Sequence, residues 1–511
     1  MAEEKRRQSQ RKPSRLLGCP VEVQLVILSF VPKGDLVFVS RVNKHLRKVV
    51  QPLLHKELDI SCPPGNSSPL VLAIRTLLER PDLANEVQHL RLDGFDFPPR
   101  TVDVMPITPV TCLTPKRSMK KAVKVMMKSG LRYAADWATS FKRGEVDSVV
   151  SLLLVLLPKV RTIYFGEDFC IELLFMRLLL DCQGRMKPDS TLHGFEHLRH
   201  VTVRNQMATH YHDGLNFADT FRSFFHFSGL ETLTISGDYP EDMMHREVMT
   251  FEPMRRLRSL DLTRISEGEL DQILALAPNL KKLRYTYAWH PRREDEDYSR
   301  ARTLSLNLTT LRKSLECHRT QLEHLDLMLV DDTKVRQRAI WNILLCDGPL
   351  NLHDFSSLRT LTIPWMFLAE PPFGPHTLPL RYNVPDTVET LTLVDALVFQ
   401  ERYWTTWDKR VVKKMVVDYL HHAQDSKTSL RKLFMVGHGF GRIWSEDEDF
   451  ETYELARSAG IRFDTSSMTP TEVDNALEVF ERMRRYGSKS DEACEREIER
   501  VFGRERRAGW P

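Results

Sequence analysis

Residues able to do chemistry are few in this chain and poorly grouped. The stretch THYHD sets His210 and His212 two residues apart beside Asp213. On a strand both imidazoles would share one face, and the carboxylate could complete a metal site. No third ligand is placed by the sequence, and polar loop residues are the simpler reading. VGHGFGR carries Gly437, Gly439 and Gly441 after a strand-like run but lacks the spacing of a dinucleotide fingerprint. The IWSEDEDF that follows would direct carboxylates at a phosphate. Acidic runs at 294–297 and 446–449 lack calcium-loop spacing and read as solvated loop. No P-loop, nucleophile elbow or HExxH zinc motif occurs. Neither a catalytic centre nor a cofactor nor a metal is expected.

The bulk numbers bound what could position such residues. At 511 residues the chain exceeds the size at which one compact core keeps growing, so several domains or a repeat array are expected. A net charge of +4 is too small for a dominating basic field, which argues against a nucleic-acid binder. The longest aliphatic stretch, Val149 to Leu157 around Ser151, ends at Pro158, far short of the ~20 residues of a bilayer span. No membrane association is expected. MAEEKRRQSQRKPSR lacks the apolar run of a signal peptide. The eight cysteines form no C-x-x-C pair, and Cys170, Cys182 and Cys346 lie inside apolar helical patterns. Free thiols in a reducing compartment fit this usage. A cytoplasmic or nuclear protein is expected, not a secreted one. Lys5, Arg6, Arg7, Arg11, Lys12 and Arg15 make a disordered basic tail over 1–14 or a nuclear signal.

One phrase recurs: apolar-x-x-apolar-x-apolar. Its copies are VQHLRL (87–92), VRTIYF (160–165), LRHVTV (198–203), LETLTI (230–235) and LRSLDL (257–262). LKKLRY (280–285), LEHLDL (322–327), LRTLTI (358–363), VETLTL (388–393) and LRKLFM (430–435) continue it. Its last three residues alternate, as in a strand with one buried face. Helical stretches precede several copies: EVDSVVSLLLVLLP, SEGELDQILALAP, TTLRKSLECHRTQ and RVVKKMVVDYLHHAQ. No single unit hides its own faces, so the units must stack. Intervals between first apolar positions from Val160 onward run from 23 to 42 residues. That irregularity predicts a degenerate array with inserted loops. FPPRTVDVMPITPVTCLTPKR (97–117), YAWHPRREDEDYSR (287–300) and IWSEDEDFE (443–451) read as such loops. From Thr469, TPTEVDNALEVFERMRRYG and DEACEREIERVFGRERR read as helices of a polar C-terminal cap.

The N-terminal LLGCPVEVQLVILSFVPKGDLVFVSRVNKHLRKVV (16–50) reads as three short helices with a thin core. Pro20 opens the first, Asp35 serves as N-cap of the second, and Pro52 breaks the third. Aliphatic side chains are left over, which calls for a partner.

Two resemblances follow from these residues. The repeated phrase is similar to the L-x-x-L-x-L core of leucine-rich repeats, without that family's asparagine or cysteine at the turn. The order carried by Pro20, Glu22, Val23, Ile27, Leu28, Val31, Pro32, Asp35, Leu36, Ser40, Val42, Lys44, Leu46 and Arg47 resembles the F-box, with Cys19 where that family has leucine. The layout resembles the F-box proteins of filamentous fungi. It implies an α/β fold: a three-helix F-box at 15–60, an irregular leucine-rich-repeat-like solenoid of parallel strands backed by helices at 61–465, and a helical C-terminal cap at 466–511. It also implies a non-catalytic substrate receptor of a Skp–cullin–F-box ubiquitin ligase. Pro20, Val23, Ile27, Leu28, Val31 and Leu36 would then contact the Skp adaptor and through it a cullin, and the repeats would hold a protein substrate. A plain repeat scaffold with no ubiquitin-ligase role is the alternative.

Substrate contacts are sought on the middle residue of each strand, which points away from the buried face. Among these are Tyr164, Asp261, Arg284 and Asp326. LRYTYAWHPRR adds Tyr287, Trp289, Arg292 and Arg293, the residue types of binding hot spots. The competing reading is that Tyr285 packs in the core and the rest is solvated loop.

Overall fold

The protein is described from a computed structural model. It covers residues 16–62, 68–94, 116–166, 178, 192, 194–204, 223–236, 253–263, 265, 267–289, 303–331, 342–346, 349–368, 379–395, 409–426, 428–436 and 446–466. The chain divides into two compact units, Met1–Leu215 and Asn216–Pro511.

Among the described residues the first unit begins with helices α1 (Val21–Ser29), α2 (Lys33–Val42) and α3 (Lys44–His55). Strand β1 (Glu57–Cys62), helices α4 (Ser68–Glu79) and α5 (Pro81–Ala84), and β2 (His89–Gly94) follow. Among the described residues helices α6 (Lys116–Lys128), α7 (Ala134–Arg143) and α8 (Val146–Val155) come next, followed by β3 (Thr162–Phe165) and β4 (His200–Arg204). The strands lie parallel in the order β1-β2-β3-β4. Helix α8 is buried along nearly its whole length, from Asp147 to Val155. Trp137 of α7 is sunk against it, and its indole Nε1–H donates to Ser148 O at 2.9 Å. Gly144, with φ of 81°, closes α7 in the left-handed conformation that only glycine adopts without strain.

The second unit holds β5 (Thr232–Ser236), β6 (Ser259–Thr263), α9 (Glu267–Ala275), β7 (Lys282–Trp289), β8 (Thr303–Asn307), α10 (Leu308–Leu315) and β9 (His324–Asp331). It continues with β10 (Asn342–Cys346), β11 (Thr360–Pro364), β12 (Thr390–Val394), α11 (Lys409–Ser426), β13 (Lys432–Val436), α12 (Glu446–Ser458) and β14 (Arg462–Ser466). The parallel order is β5-β6-β7-β9-β11-β12-β13-β14, and β8 and β10 form a separate parallel pair.

All ten recurring phrases become strands of these parallel sets. Their first apolar residue sits just before the strand and is buried, from Val87 and Val160 through to Val388 and Leu430. The second residue supplies a carbonyl that accepts two N–H groups from the next repeat. Glu231 O receives Arg258 N (2.9 Å) and Ser259 N (3.1 Å), and Arg258 O receives Lys281 N and Lys282 N (both 2.9 Å). Lys281, Glu323, Arg359 and Glu389 repeat the pattern. A carbonyl has two lone pairs, so this staircase satisfies each turn by stacking alone.

Several local expectations are corrected. Helix α3 runs through Pro52 to His55. The missing proline N–H would have reached the carbonyl of Lys48 on the exposed side, and Leu53 and Leu54 pack on the core beyond it. Helix α2 starts at Lys33, so Asp35 lies in its first turn and Pro32 is the N-cap. Residues 116 and 117 open α6 instead of ending a loop, and residues 287–289 extend β7. The acidic run from Glu446 lies at the start of α12 instead of in a loop. Cys346 lies in a strand, Cys19 is half-buried and Cys317 is exposed. Strands β1 and β14 lack the full phrase. The THYHD and VGHGFGR stretches, the basic tail and the region after 466 lie outside the described residues.

Candidate protein-interaction surfaces

Two surfaces are candidates for binding a partner. The first is the N-terminal helical module. Its core is Leu28, Leu36, Val49 and Val50, with Leu25, Val31, Val39, Leu53 and Leu54 packed around them. The buried Gln24 joins α1 to α3: its amide Nε2 donates to Cys19 O (2.7 Å), and its Oε1 lies 2.8 Å from His45 Nε2. Asn43 caps α3 by accepting from Leu46 N at 2.7 Å. Lys33 Nζ donates to Glu57 O at 3.0 Å, tying α2 to β1.

A helix of this length can bury one stripe, but α1 and α2 are apolar on more than one side. Leu17, Val21, Val23, Val26, Ile27, Phe30, Val37, Phe38 and Val42 are exposed, nine of the fourteen exposed large apolar side chains among the described residues. Phe30 is 83% exposed, Val42 70% and Phe38 65%. Of the six expected adaptor contacts, Pro20, Val23 and Ile27 lie at the surface. Leu28 and Leu36, 2% and 4% exposed, belong to the module's own core, and Val31 packs on it. Val26, Phe30, Phe38 and Val42, which the expectation did not name, are exposed as well. The signal for them was the surplus of apolar residues over a single 3.6-period stripe.

The second surface is the outward face of the strands. Register aligns Asp59, Arg91, Tyr164 and Thr202 across the first unit. In the second unit it aligns Thr234, Asp261, Arg284 and Asp326, and then Asp326 with Thr362, Thr392, Phe434 and Asp464. Arg284 bridges two neighbours: Nε donates to Asp326 Oδ2 at 3.0 Å, and Nη1 lies 3.4 Å from Asp261 Oδ2. In the first unit the Arg91 guanidinium stands 4.1 Å from the Tyr164 ring centroid, with Arg204 at 6.0 Å. Arg91 Nε also donates to the buried Asp93 at 2.7 Å.

Tyr285 is buried, and its hydroxyl donates to Ile265 O at 2.6 Å. Burial, with the Glu267 charge second, pushes this phenol well above its ordinary range. Tyr287 is half-buried on the same face of β7, its phenol raised to about 12 by burial and then by Glu267. Arg284 and Tyr287 therefore sit on opposite faces, because strand side chains alternate. This corrects their placement in one contact surface. Trp289 ends β7, and Arg292 and Arg293 lie outside the described residues.

Among the described residues no group of three or more His, Cys, Asp or Glu is placed to hold a metal ion. No helix among them is long and apolar enough to cross a membrane. The sequence matches no protein-family model and no curated protein.

Proposed function

We propose that this chain is a substrate receptor of a Skp–cullin–F-box ubiquitin ligase. Its N-terminal module acts as the F-box and docks on the Skp adaptor. Its leucine-rich-repeat-like strand array, closed by a helical C-terminal cap, holds a protein substrate. The observation that carries this reading is the exposed apolar surface between Leu17 and Val42, concentrated on a small module whose own core is already complete. Apolar exposure concentrated on one small module supports a protein-interaction site. The receptor does no bond chemistry. It raises the effective concentration of substrate lysines near the ubiquitin-charged enzyme. The outward strand row, with its aromatic and paired charged residues, is the substrate side.

Co-purification with the Skp adaptor tests the assignment. The wild-type chain is expected to retain the adaptor, and Phe30→Asp with Phe38→Asp to lose it while melting like wild type. Equal adaptor recovery by both would reject the F-box role and leave a repeat scaffold without a ubiquitin-ligase function.

A further inference from the structure

Helix α6 of the first unit, with the sequence KRSMKKAVKVMMK, has six basic residues and no acidic one. Its inner stripe is Ser118, Ala122 and Met126, all buried. Ser118 Oγ donates to Glu79 Oε1 at 3.0 Å, and Lys121 Nζ donates to Leu78 O at 3.2 Å, so Lys121 is spent on packing against α4. Lys116, Arg117, Lys120, Lys124 and Lys128 are exposed. Lys116, Arg117, Lys120 and Lys124 make no ion pair among the described residues.

This pattern works against the helix. Lys116, Lys120 and Lys124 follow one another at i,i+4, where like charges repel, and Lys116 and Arg117 sit at the positive end of the helix dipole. Among the described residues no acidic partner offsets this repulsion, which points to a ligand of opposite charge.

We infer that the exposed face of α6 binds an acidic segment of a partner protein. Three observations choose this ligand. The stripe of Ser118, Ala122 and Met126 is buried, and Met127 is the one large apolar side chain among the helix's exposed residues, too little to insert into a lipid surface. No aromatic residue stands on the helix to stack a base. Five of the six cations are lysines, compact point charges without the fork that matches phosphates and guanines. The spacing also fits. Lysines four apart climb ~6 Å along the helix. Carboxylates on alternate residues of an extended chain are ~6.6–7 Å apart. The surface uses residues other than those of the apolar face of α1 and α2, so the two can be tested with separate variants.

The test uses the full chain and fluorescence anisotropy of a labelled twelve-residue poly-glutamate at about 50 mM salt. A twelve-nucleotide single-stranded DNA and phosphatidylserine vesicles serve as competing probes. The triple variant Lys116→Gln, Lys120→Gln, Lys124→Gln is expected to weaken peptide binding at least about ten-fold, which separates α6 from the basic residues of the N-terminal tail. The single variant Lys120→Glu is expected to weaken binding and to melt at or above the wild-type temperature, because it creates two favourable i,i+4 pairs. No binding of the peptide by the wild type, unchanged affinity in the triple variant, or tighter α6-dependent binding of the DNA or the vesicles overturns the inference.

Discussion

Helix α1 and its continuation pass from a packed to an exposed apolar side chain within three residues. Leu28 is 2% exposed and Phe30 is 83% exposed. Truncating Leu28 to alanine removes buried methyl groups from a core of four residues and is expected to cost about 2–5 kcal/mol of folding stability. Phe30→Asp removes nothing from that core, so its effect on stability is expected to stay within about 0.5 kcal/mol. Against a partner the ranking reverses. Burying a phenylalanine that is almost fully exposed contributes about 1.5–3 kcal/mol, or ~10- to ~150-fold in affinity. An aspartate would add the cost of desolvating a carboxylate, so a loss of ~30-fold or more is expected for adaptor binding. Isothermal titration against the Skp adaptor, with thermal melts of the same samples, reads both quantities. Dye binding and concentration-dependent self-association of the isolated chain should also fall in Phe30→Asp. Adaptor affinity unchanged by Phe30→Asp, or stability unchanged by Leu28→Ala, would refute the division of α1 into a core stripe and a docking face.

Other outcomes follow from the packing. His55, His89, His226, His318 and His324 all have their pKa lowered, with burial the leading cause. A lowered histidine pKa means that the unfolded chain takes up the proton first. Stability should therefore be full above ~6.5, the unfolded histidine value, and fall as pH drops through the folded values. Chemical denaturation at neutral and mildly acidic pH reads this, and a flat profile would count against it. His318 is the strongest case, since Nε2 lies 3.1 Å from Leu274 O and Nδ1 lies 2.8 Å from Gln321 Nε2, an arrangement that a neutral ring satisfies. Tyr285→Phe leaves Ile265 O without its hydroxyl donor and should lower stability by about 0.5–1.5 kcal/mol in denaturant titrations. Gly166→Ala should cost about 1–3 kcal/mol in the same assay. A methyl there would meet the Asp93 carboxylate and Leu92 O, and Asp93 is buried and held by Arg91, so it has nowhere to move.

The strand array was the most legible part of the chain. Each phrase carries its own two-residue alternation and its own buried residue at the turn, so it announces a strand without reference to the rest of the molecule. β14 was harder to read because Ile461 and Phe463 alternate without a third apolar residue. The helices around 146, 267, 308 and 409 were equally plain, since each follows its own apolar spacing. The 73-residue gap between Val87 and Val160 was not resolved by periodicity. β2 pairs directly with β3, and among the described residues three helices lie in the interval.

Local pattern thus determined where the strands and most helices form and which middle residues share a row. Tertiary structure decided what those residues meet. It paired β7 with β9 across an intervening strand and helix, so that Arg284 reaches both Asp261 and Asp326. It moved Leu28 and Leu36 inside while leaving Phe30 and Phe38 in solvent. The physical reason is that alternation is a property of a few neighbouring residues, whereas burial depends on which distant segment covers them. A helix apolar on several sides does not name the side its own core will take.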